Sequence, residues 1–327
     1  MQVSKKKGCS SAVLEIAGRE MPVTNLNKIF YPKTGFTKGD VMNYYIKISP
    51  VLLPHLKNRP MSLKRYPEGV GGSFFYEKQC PAHRPKWIKT IRVKALGKRF
   101  IQYCSMDSLA ALVWVANLAD LELHTFLHKA PALARPTAIA FDLDPGPPAN
   151  IIQCCEVALL IKAILAFMNL TGFPKTSGSK GLQVYIPLNT AAATYEKTRA
   201  FARGIAEMLE KQFPSLTLSR MQKNLRTGKV FVDWSQNDQK KTTINVYSLR
   251  GQDVPTVSTP ITWKEVERAA KKKSVLNFRS DEVLKRVEKM GDLFAPVITM
   301  KQTLPAWNVL VRKYGKLFRY DANSADS

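Results

Sequence analysis

The sequence predicts an α+β (mixed α/β) fold with sheets flanked by helices, and three observations carry that prediction. Strand-length runs rich in alternating apolar residues are interspersed with longer runs of helical spacing. Hydrophobic residues make up 45% of the 327 and aromatics 9%, enough for a packed core. No internal repeat or low-complexity linker divides the chain.

The elements follow in order. A helix is expected to open at Thr37, where "TKGD" supplies a cap and an acid three residues on, and to run through "VMNYYIKI" to Pro50. "MSLKRY" (61–66) and "GSFFYEK" (72–78) read as strands split by the turn "PEGVGG", and "RFIQYCS" (99–105) as another. "DSLAALVWVANLA" (107–119) reads as a helix capped by Asp107, and "TAIAFDLD" (137–144) as a buried strand. Asn150 caps a long helix over 150–169. "LQVYIPL" (182–188) is a strand, and 194–213 an amphipathic helix. "KVFVDWS" (229–235) and "TTINVYSLR" (242–250) read as a strand pair, and 262–270 and 280–290 as helices.

Charge narrows the function. The chain has 50 Lys and Arg against 25 Asp and Glu, a formal net charge of +25. A surplus of that size points to a polyanionic partner, because each neutralised phosphate releases counterions. The most apolar run, "ALLIKAILAFMNL" (158–170), holds Lys162 and is shorter than the ~20 residues that span a bilayer. The basic start "MQVSKKKG" lacks the long apolar run of a signal peptide, so a cytoplasmic protein with no membrane partner is expected. The five cysteines, 9, 80, 104, 154 and 155, are odd in number with no C-x-x-C, which argues against a disulfide framework. Cys80-x-x-His83 is half of a zinc pattern with no second half.

Against this basic background "FDLDPGPPAN" (141–150) sets Asp142 and Asp144 two apart at a strand end. Residues i and i+2 of a strand share a face, so the carboxylates would stand together and repel unless a cation sits between them. Alone, such a pair reads as turn chemistry. A third acid, Asp233, ends "KVFVDW". Three aspartates from two strands make a donor set for two Mg²⁺ or Mn²⁺ ions of the kind that drive phosphoryl transfer. "KTSGSKGLQVY" (175–185) then offers Ser177 and Lys180 among small residues whose backbone N–H groups can approach phosphate, without the Walker spacing. Arg250 adds a charge. Of His124 and His128, spaced i, i+4 in an extended-looking segment, His124 is the better functional candidate.

Together "VTNLNKIFYPKTGFTKGDVMNYY", "RPMSLKRYPEGV", "FFYEK", "LELH", "FDLDPG", "TSGSKGLQVYIPL" and "VFVDWSQN…INVYSLRG" resemble the polymerase domain of bacterial ligase D, of the archaeo-eukaryotic primase superfamily. The motifs fall in the family's order from about Val23 to about Leu293. The resemblance implies a primase-like catalytic core with an N-terminal α/β module packed against it, as one unit over 23–293 between a basic extension (1–22) and a tail (294–327). It implies template-dependent extension of 3′ ends at DNA breaks, gaps or overhangs, with ribonucleotides preferred over deoxynucleotides and Mn²⁺ favoured. Carried over, Asp142, Asp144 and Asp233 hold metals; Lys64, His124, Ser177, Lys180, Gln236 and Arg250 bind nucleotide. Asn25, Lys28 and Lys38 match a pocket for a 5′-phosphate, and Phe74 and Phe75 a template-stacking platform, of which strand alternation would leave one outside. Tyr66 departs from the pattern, standing where tryptophan is expected. No adenylation-type lysine motif or nuclease segment is present, so the chain is expected to be either a stand-alone polymerase or a domain excised from a larger ligase, with Ku and a DNA ligase as the partners the resemblance implies. A metal-dependent nuclease using the same acids, or a non-catalytic end-bridging module, are the alternatives; the Ser177–Lys180 loop disfavours the first and the acid triad the second.

Overall fold

The computed structural model describes residues 3–5, 11–95 and 99–305. The Lys6–Gly8 part of the basic start, Cys9 and the tail from 306 lie outside them. Strands β1 (Val3–Lys5), β2 (Ser11–Ile16) and β3 (Arg19–Thr24) form an antiparallel sheet. The β2–β3 turn places Ala17 and Gly18 at φ 51 and 71°, the positive angles a two-residue hairpin needs. Leu14, Ile16, Met21 and Val23 are buried in the main core, so the hairpin packs on the body, and the boundary expected at residue 23 falls inside β3.

A short ribbon, β4 (Ile29–Tyr31) and β5 (Phe36–Thr37), leads into α1 (Lys38–Leu56). The Thr37–Asp40 capping box forms as expected, but the helix does not end at Pro50; it runs through Pro50 and Pro54. Pro50 lacks the N–H that would reach the Ile46 carbonyl, and the Ser49 hydroxyl donates to that carbonyl instead, at 2.8 Å. A stripe of Val41, Tyr44, Tyr45, Ile48, Leu52 and Leu56 is buried. At roughly 1.5–3 kcal/mol per large apolar side chain the stripe outweighs the ~3 kcal/mol or more that an interior proline costs.

The first large sheet contains β6 (Pro60–Arg65), β7 (Phe75–Glu77), β8 (Thr90–Lys94), β9 (Phe100–Ser105), β10 (Asp120–Thr125) and a late strand described below. Helix α2 (Leu109–Asn117) is capped by Ser108, not Asp107. Asp107 accepts from the Asn58 N–H and the Ser105 hydroxyl instead, at 2.9 and 2.7 Å. Cys80 and Cys104 are joined by a disulfide, contrary to the expectation from cysteine number. The loop at Cys80 lies along β9, its N–H donating to the Gln102 carbonyl at 2.7 Å, which brings together two cysteines 24 residues apart. Cys80 is therefore no zinc ligand, and the His83 ring packs near Trp114.

The second large sheet has the order β12–β13–β11–β15–β14, from β11 (Ala138–Pro145), β12 (Phe173–Thr176), β13 (Leu182–Pro187), β14 (Thr217–Leu218) and β15 (Val230–Asp233). Helices α3 (Ile151–Phe167), α4 (Tyr195–Gln212) and α5 (Trp263–Lys272) cover one face. Ile139, Phe141 and Leu143 are buried against them, so the even-numbered residues of β11 face the other way. Helices α6 (Ser280–Met290) and α7 (Pro296–Thr299) are the last among the described residues, with Val283 and Val297 in the same core as α1.

The strand pair expected over 229–235 and 242–250 does not form. β15 pairs with β11 and β14, whereas β16 is only Thr243–Ile244 and pairs with β10 in the other sheet. Two local features end β16 early: the Lys175 ammonium takes the Ile244 carbonyl at 3.2 Å, and Tyr247 adopts φ 62°. The chain between β15 and β16 thus crosses from sheet to sheet, and a cleft of about 630 Å³ lies at the seam.

Candidate active site

Asp142, Asp144 and Asp233 line this cleft, with His124, Ser177, Lys180, Gln236 and Arg250. The strand period explains the acids: Phe141 and Leu143 go into the helix-covered core, which turns Asp142 and Asp144 outward. Asp233 stands directly opposite Asp142 in the β11–β15 ladder. The Asp142 carboxyl is pushed up to about 6, chiefly by burial; the charges of Asp233 and Asp144 add to the rise, against a hydrogen bond from Gln183 and the charge of Lys175. The other two acids have partners. Asp144 pairs with Arg226 at 2.8 Å; Asp233 accepts from the Ser235 hydroxyl at 2.5 Å and the Gln236 amide at 3.0 Å.

As placed, no three His, Cys, Asp or Glu side chains among the described residues converge on one ion position. The donors nonetheless fit a divalent cation in kind. Three hard carboxylates share one cleft, two are cross-strand neighbours, and burial, with the charges of Asp233 and Asp144, holds Asp142 above its usual range.

Beneath the acids runs a row that the sequence reading missed. Lys175, Gln183, Asp142 and Asp233 are successive partners across β12, β13, β11 and β15. Lys175 is wholly buried; its ammonium donates to the Ser258 hydroxyl at 2.6 Å, and burial pulls its pKa down to about 7.

The 177–181 segment is the turn of the β12–β13 hairpin. The Ser177 hydroxyl accepts from the Ser179 and Gly181 N–H groups at 3.2 and 3.1 Å, so here it folds the loop. Gly178 has φ 71°, and a Cβ there would lie 2.6 Å from the Val257 backbone; at Gly181 it would lie 2.1 Å from the Leu143 carbonyl. Both positions need glycine. Lys180 is exposed on the cleft wall.

Opposite the acids stands a cationic array organised by Glu122, which the sequence reading also passed over. Glu122 is 1% exposed. Its Oε1 accepts from Lys64 Nζ at 3.0 Å, the Tyr66 hydroxyl at 2.9 Å and the Gly251 N–H at 3.0 Å. Its Oε2 meets His124 Nε2 at 2.9 Å and Arg250 Nε at 3.4 Å. Although burial alone would raise it, His124, Arg250 and Lys64 hold the Glu122 carboxyl far below the usual range. The tyrosine at 66 therefore contributes a hydroxyl that a tryptophan could not. His124 lies on extended chain, as the sequence indicated, and burial lowers its pKa. Lys64 does not line the cleft; its ammonium stays on Glu122, 4.2 Å above the Phe74 ring. His128 is a core histidine, fully buried and bonded to the Tyr195 hydroxyl at 2.8 Å.

Asn25, Lys28 and Lys38 gather away from the cleft lining. The Lys28 N–H bonds the Asn25 carbonyl at 2.9 Å, and the Lys38 N–H bonds the Lys28 carbonyl at 2.8 Å, at the first turn of α1. Lys28 pairs with exposed Glu68, while Lys38 is buried with its pKa lowered to about 8, by burial first and then by Lys28 and Arg65. Phe74 and Phe75 are 52% and 44% exposed, so both lie outside. Only Phe75 belongs to β7, and the alternation rule does not bind a residue before the strand. Tyr76 continues the aromatic rim into the cleft, its ring 5.6 Å from that of His124.

A family model described as "LigD, primase-polymerase domain" matches residues 37–294. The chain is 40% identical over 277 residues to the multifunctional non-homologous end joining protein LigD of Mycolicibacterium smegmatis, covering 84% of this chain and 36% of that protein. It is 35% identical over 273 residues to the bifunctional non-homologous end joining protein LigD of Bacillus subtilis, covering 83% of this chain and 43% of that one. The chain thus spans less than half the length of these relatives. Among solved structures it is similar to the polymerase domain from Mycobacterium tuberculosis ligase D in complex with DNA. The TM-score is 0.80 at 39% identity, with 86% of this chain and 98% of that chain covered. No helix among the described residues is long and apolar enough to cross a membrane.

Proposed function

The chain belongs to the LigD primase-polymerase domain family, a family of nucleotidyltransferases, and from that premise we propose that it extends 3′ ends at DNA breaks from a template, using ribonucleotides in preference to deoxynucleotides. The observation that carries the reading is the gathering, in one cleft, of the Asp142–Asp233 pair, the Ser177–Lys180 loop and Arg250.

Asp142, Asp144 and Asp233 would hold two divalent ions, Mn²⁺ or Mg²⁺, which lower the pKa of an attacking 3′-hydroxyl and stabilise the in-line transition state. Lys180 and Arg250 take the triphosphate, with Ser177 shaping the 177–181 turn beside them. His124 and Gln236 line the cleft, where they would border the sugar of a bound nucleotide. A Gln236 amide can hydrogen-bond a 2′-hydroxyl, and a site built around that bond penalises its absence. Asn25, Lys28 and Lys38 receive a 5′-phosphate, while Phe74 and Phe75 stack on template bases. Non-homologous end joining in the cytoplasm, at the nucleoid, with Ku and a ligase as partners, is the setting this chemistry fits. The net charge of +25 suits the DNA.

The test is extension of a duplex with a 3′ overhang and a recessed 5′-phosphate, supplied with Mn²⁺ and NTPs or dNTPs. Template-directed addition with NTPs ahead is expected, and Gln236→Ala should narrow that gap by slowing NTP insertion. Strand cleavage without extension would replace the reading with a nuclease; binding without chemistry would replace it with a bridging module.

A further inference from the structure

We propose that Glu122 is the positioning residue of the nucleotide site, holding Lys64, His124 and Arg250 as one preset array. This deepens the nucleotide reading above and rests on it.

The partners of Glu122 come from separate stretches of chain: Lys64 from β6, Tyr66 from the turn after it, His124 from β10 and Gly251 from the segment beyond β16 as hydrogen-bond partners, and Arg250 beside Gly251 as an ion pair. A carboxylate has about four lone-pair sites and no donor, so the four hydrogen bonds saturate it, with Arg250 adding charge beside Oε2. At 1% exposure it has no water to fall back on. Removing it would leave two cations facing each other without a counter-charge.

The geometry ties each donor in a way that serves the cleft. Arg250 is held from both ends, by Glu122 at 3.4 Å and by Nη1 donating to the Ser177 carbonyl at 2.5 Å, so the guanidinium links the array to the phosphate-facing turn. His124 has one ring nitrogen fixed on Glu122, which sets the ring plane in the cleft wall. Lys64 stays below the surface and fixes the Phe74 ring above it. With His124 neutral, Lys64 and Arg250 against Glu122 leave one excess positive charge. A triphosphate meets that excess without having to draw the side chains into place, which lowers the ordering cost of binding. Donors fixed before and during reaction act on ground and transition states alike, so their loss appears chiefly in KM.

The test is single-nucleotide insertion by the full chain with Mn²⁺ on a primed template, for wild type, E122Q, E122D, R250A, H124A and E122Q/R250A. Glutamine keeps the shape but has one acceptor oxygen, so its NH₂ must face either the Lys64–Tyr66–Gly251 side or the His124–Arg250 side. For E122Q the KM for nucleotide should rise about 10- to 100-fold while kcat falls less. Affinity for a 5′-phosphorylated DNA end should stay within about twofold, since Asn25, Lys28 and Lys38 do not touch Glu122. E122D, which keeps the charge but retracts it by a methylene, should lie between. The double variant should lose little more than R250A alone, because both changes dismantle one array. A wild-type KM in folded E122Q, or losses that multiply in the double variant, would overturn the proposal. Should E122Q not fold, E122D decides on the same readout. If R250A and H124A both keep wild-type KM, the cleft is not the nucleotide site and the proposal falls with that reading. If they raise KM while E122Q does not, only the role of Glu122 is refuted.

Discussion

The two walls of the cleft handle charge in opposite ways. On the six-stranded side the buried Glu122 is surrounded by donors, and its carboxyl is held far below the usual range. On the five-stranded side acids face acids across a ladder, and the Asp142 carboxyl is pushed up to about 6. At Glu122 the first wall has its counter-charges in place before anything binds. The second is left short of positive charge, in a protein with a surplus of it. A site of this kind can be assembled from one satisfied half, which sets geometry, and one unsatisfied half, which sets what it will accept.

The comparison breaks most visibly in activity. Asp142→Asn should lower extension about 1000-fold or more, since the metals are worth several kcal/mol to the transition state, while DNA binding is retained. Near-wild-type extension would mean the acid wall is structural. Stability sharpens the same contrast. In metal-free protein Asp142→Asn removes repulsion and should raise the melting temperature by about 2 °C. Glu122→Gln removes a buried counter-charge and should lower it by roughly 5–10 °C. Shifts of the same sign would erase the distinction between the walls. Next in size, Phe74→Ala should weaken template-strand binding about tenfold with no dependence on the base, as stacking does; a base-dependent loss would point to edge recognition instead.

The smallest effect concerns pH. The folded pKa of Lys38, about 8, lies below the usual value of 10.5, so between those pH values the unfolded chain binds more protons. The stability term from Lys38 therefore grows as pH rises across that window. Its grip on phosphate moves the other way: the preference for a 5′-phosphorylated end should fall several-fold between pH 7 and 9, as a charge-assisted bond becomes a neutral one. The phosphate itself has finished titrating by then. Lys38→Arg should flatten the profile. A preference unchanged with pH in wild type would remove Lys38 from the pocket.

Legibility differed by element. Helix starts were readable at Thr37, Asn150 and Thr262, where capping is a local side-chain act. The end of α1 was not, because burial of a stripe and a hydroxyl from Ser49 overrode a proline. The acids were legible as i, i+2 partners, but their direct opposition depends on register, which only pairing reveals. Glu122 was hidden because one acid in an alternating strand reads as solvent-facing. The available signal was that it shares a strand face with His124 and that Lys64 lies in a neighbouring motif. The Cys80–Cys104 link and the sheet change between β15 and β16 are tertiary facts with no local mark.

One further consequence concerns β7 and colloidal behaviour. This strand pairs with β6 alone and carries Phe75 and Tyr76, with Phe74 just before it, all exposed. An apolar sheet edge is a template for another copy of the same chain. Its shortness, three residues, and the Arg65 guanidinium 5.3 Å from the Phe75 ring blunt that tendency, and the long-range repulsion between copies of +25 does the rest. That repulsion reaches only about 10 Å at 0.1 M salt and about 3 Å at 1 M. Solubility should therefore decline as ionic strength rises, and fall again where short polyanions neutralise the surface without covering the aromatic rim.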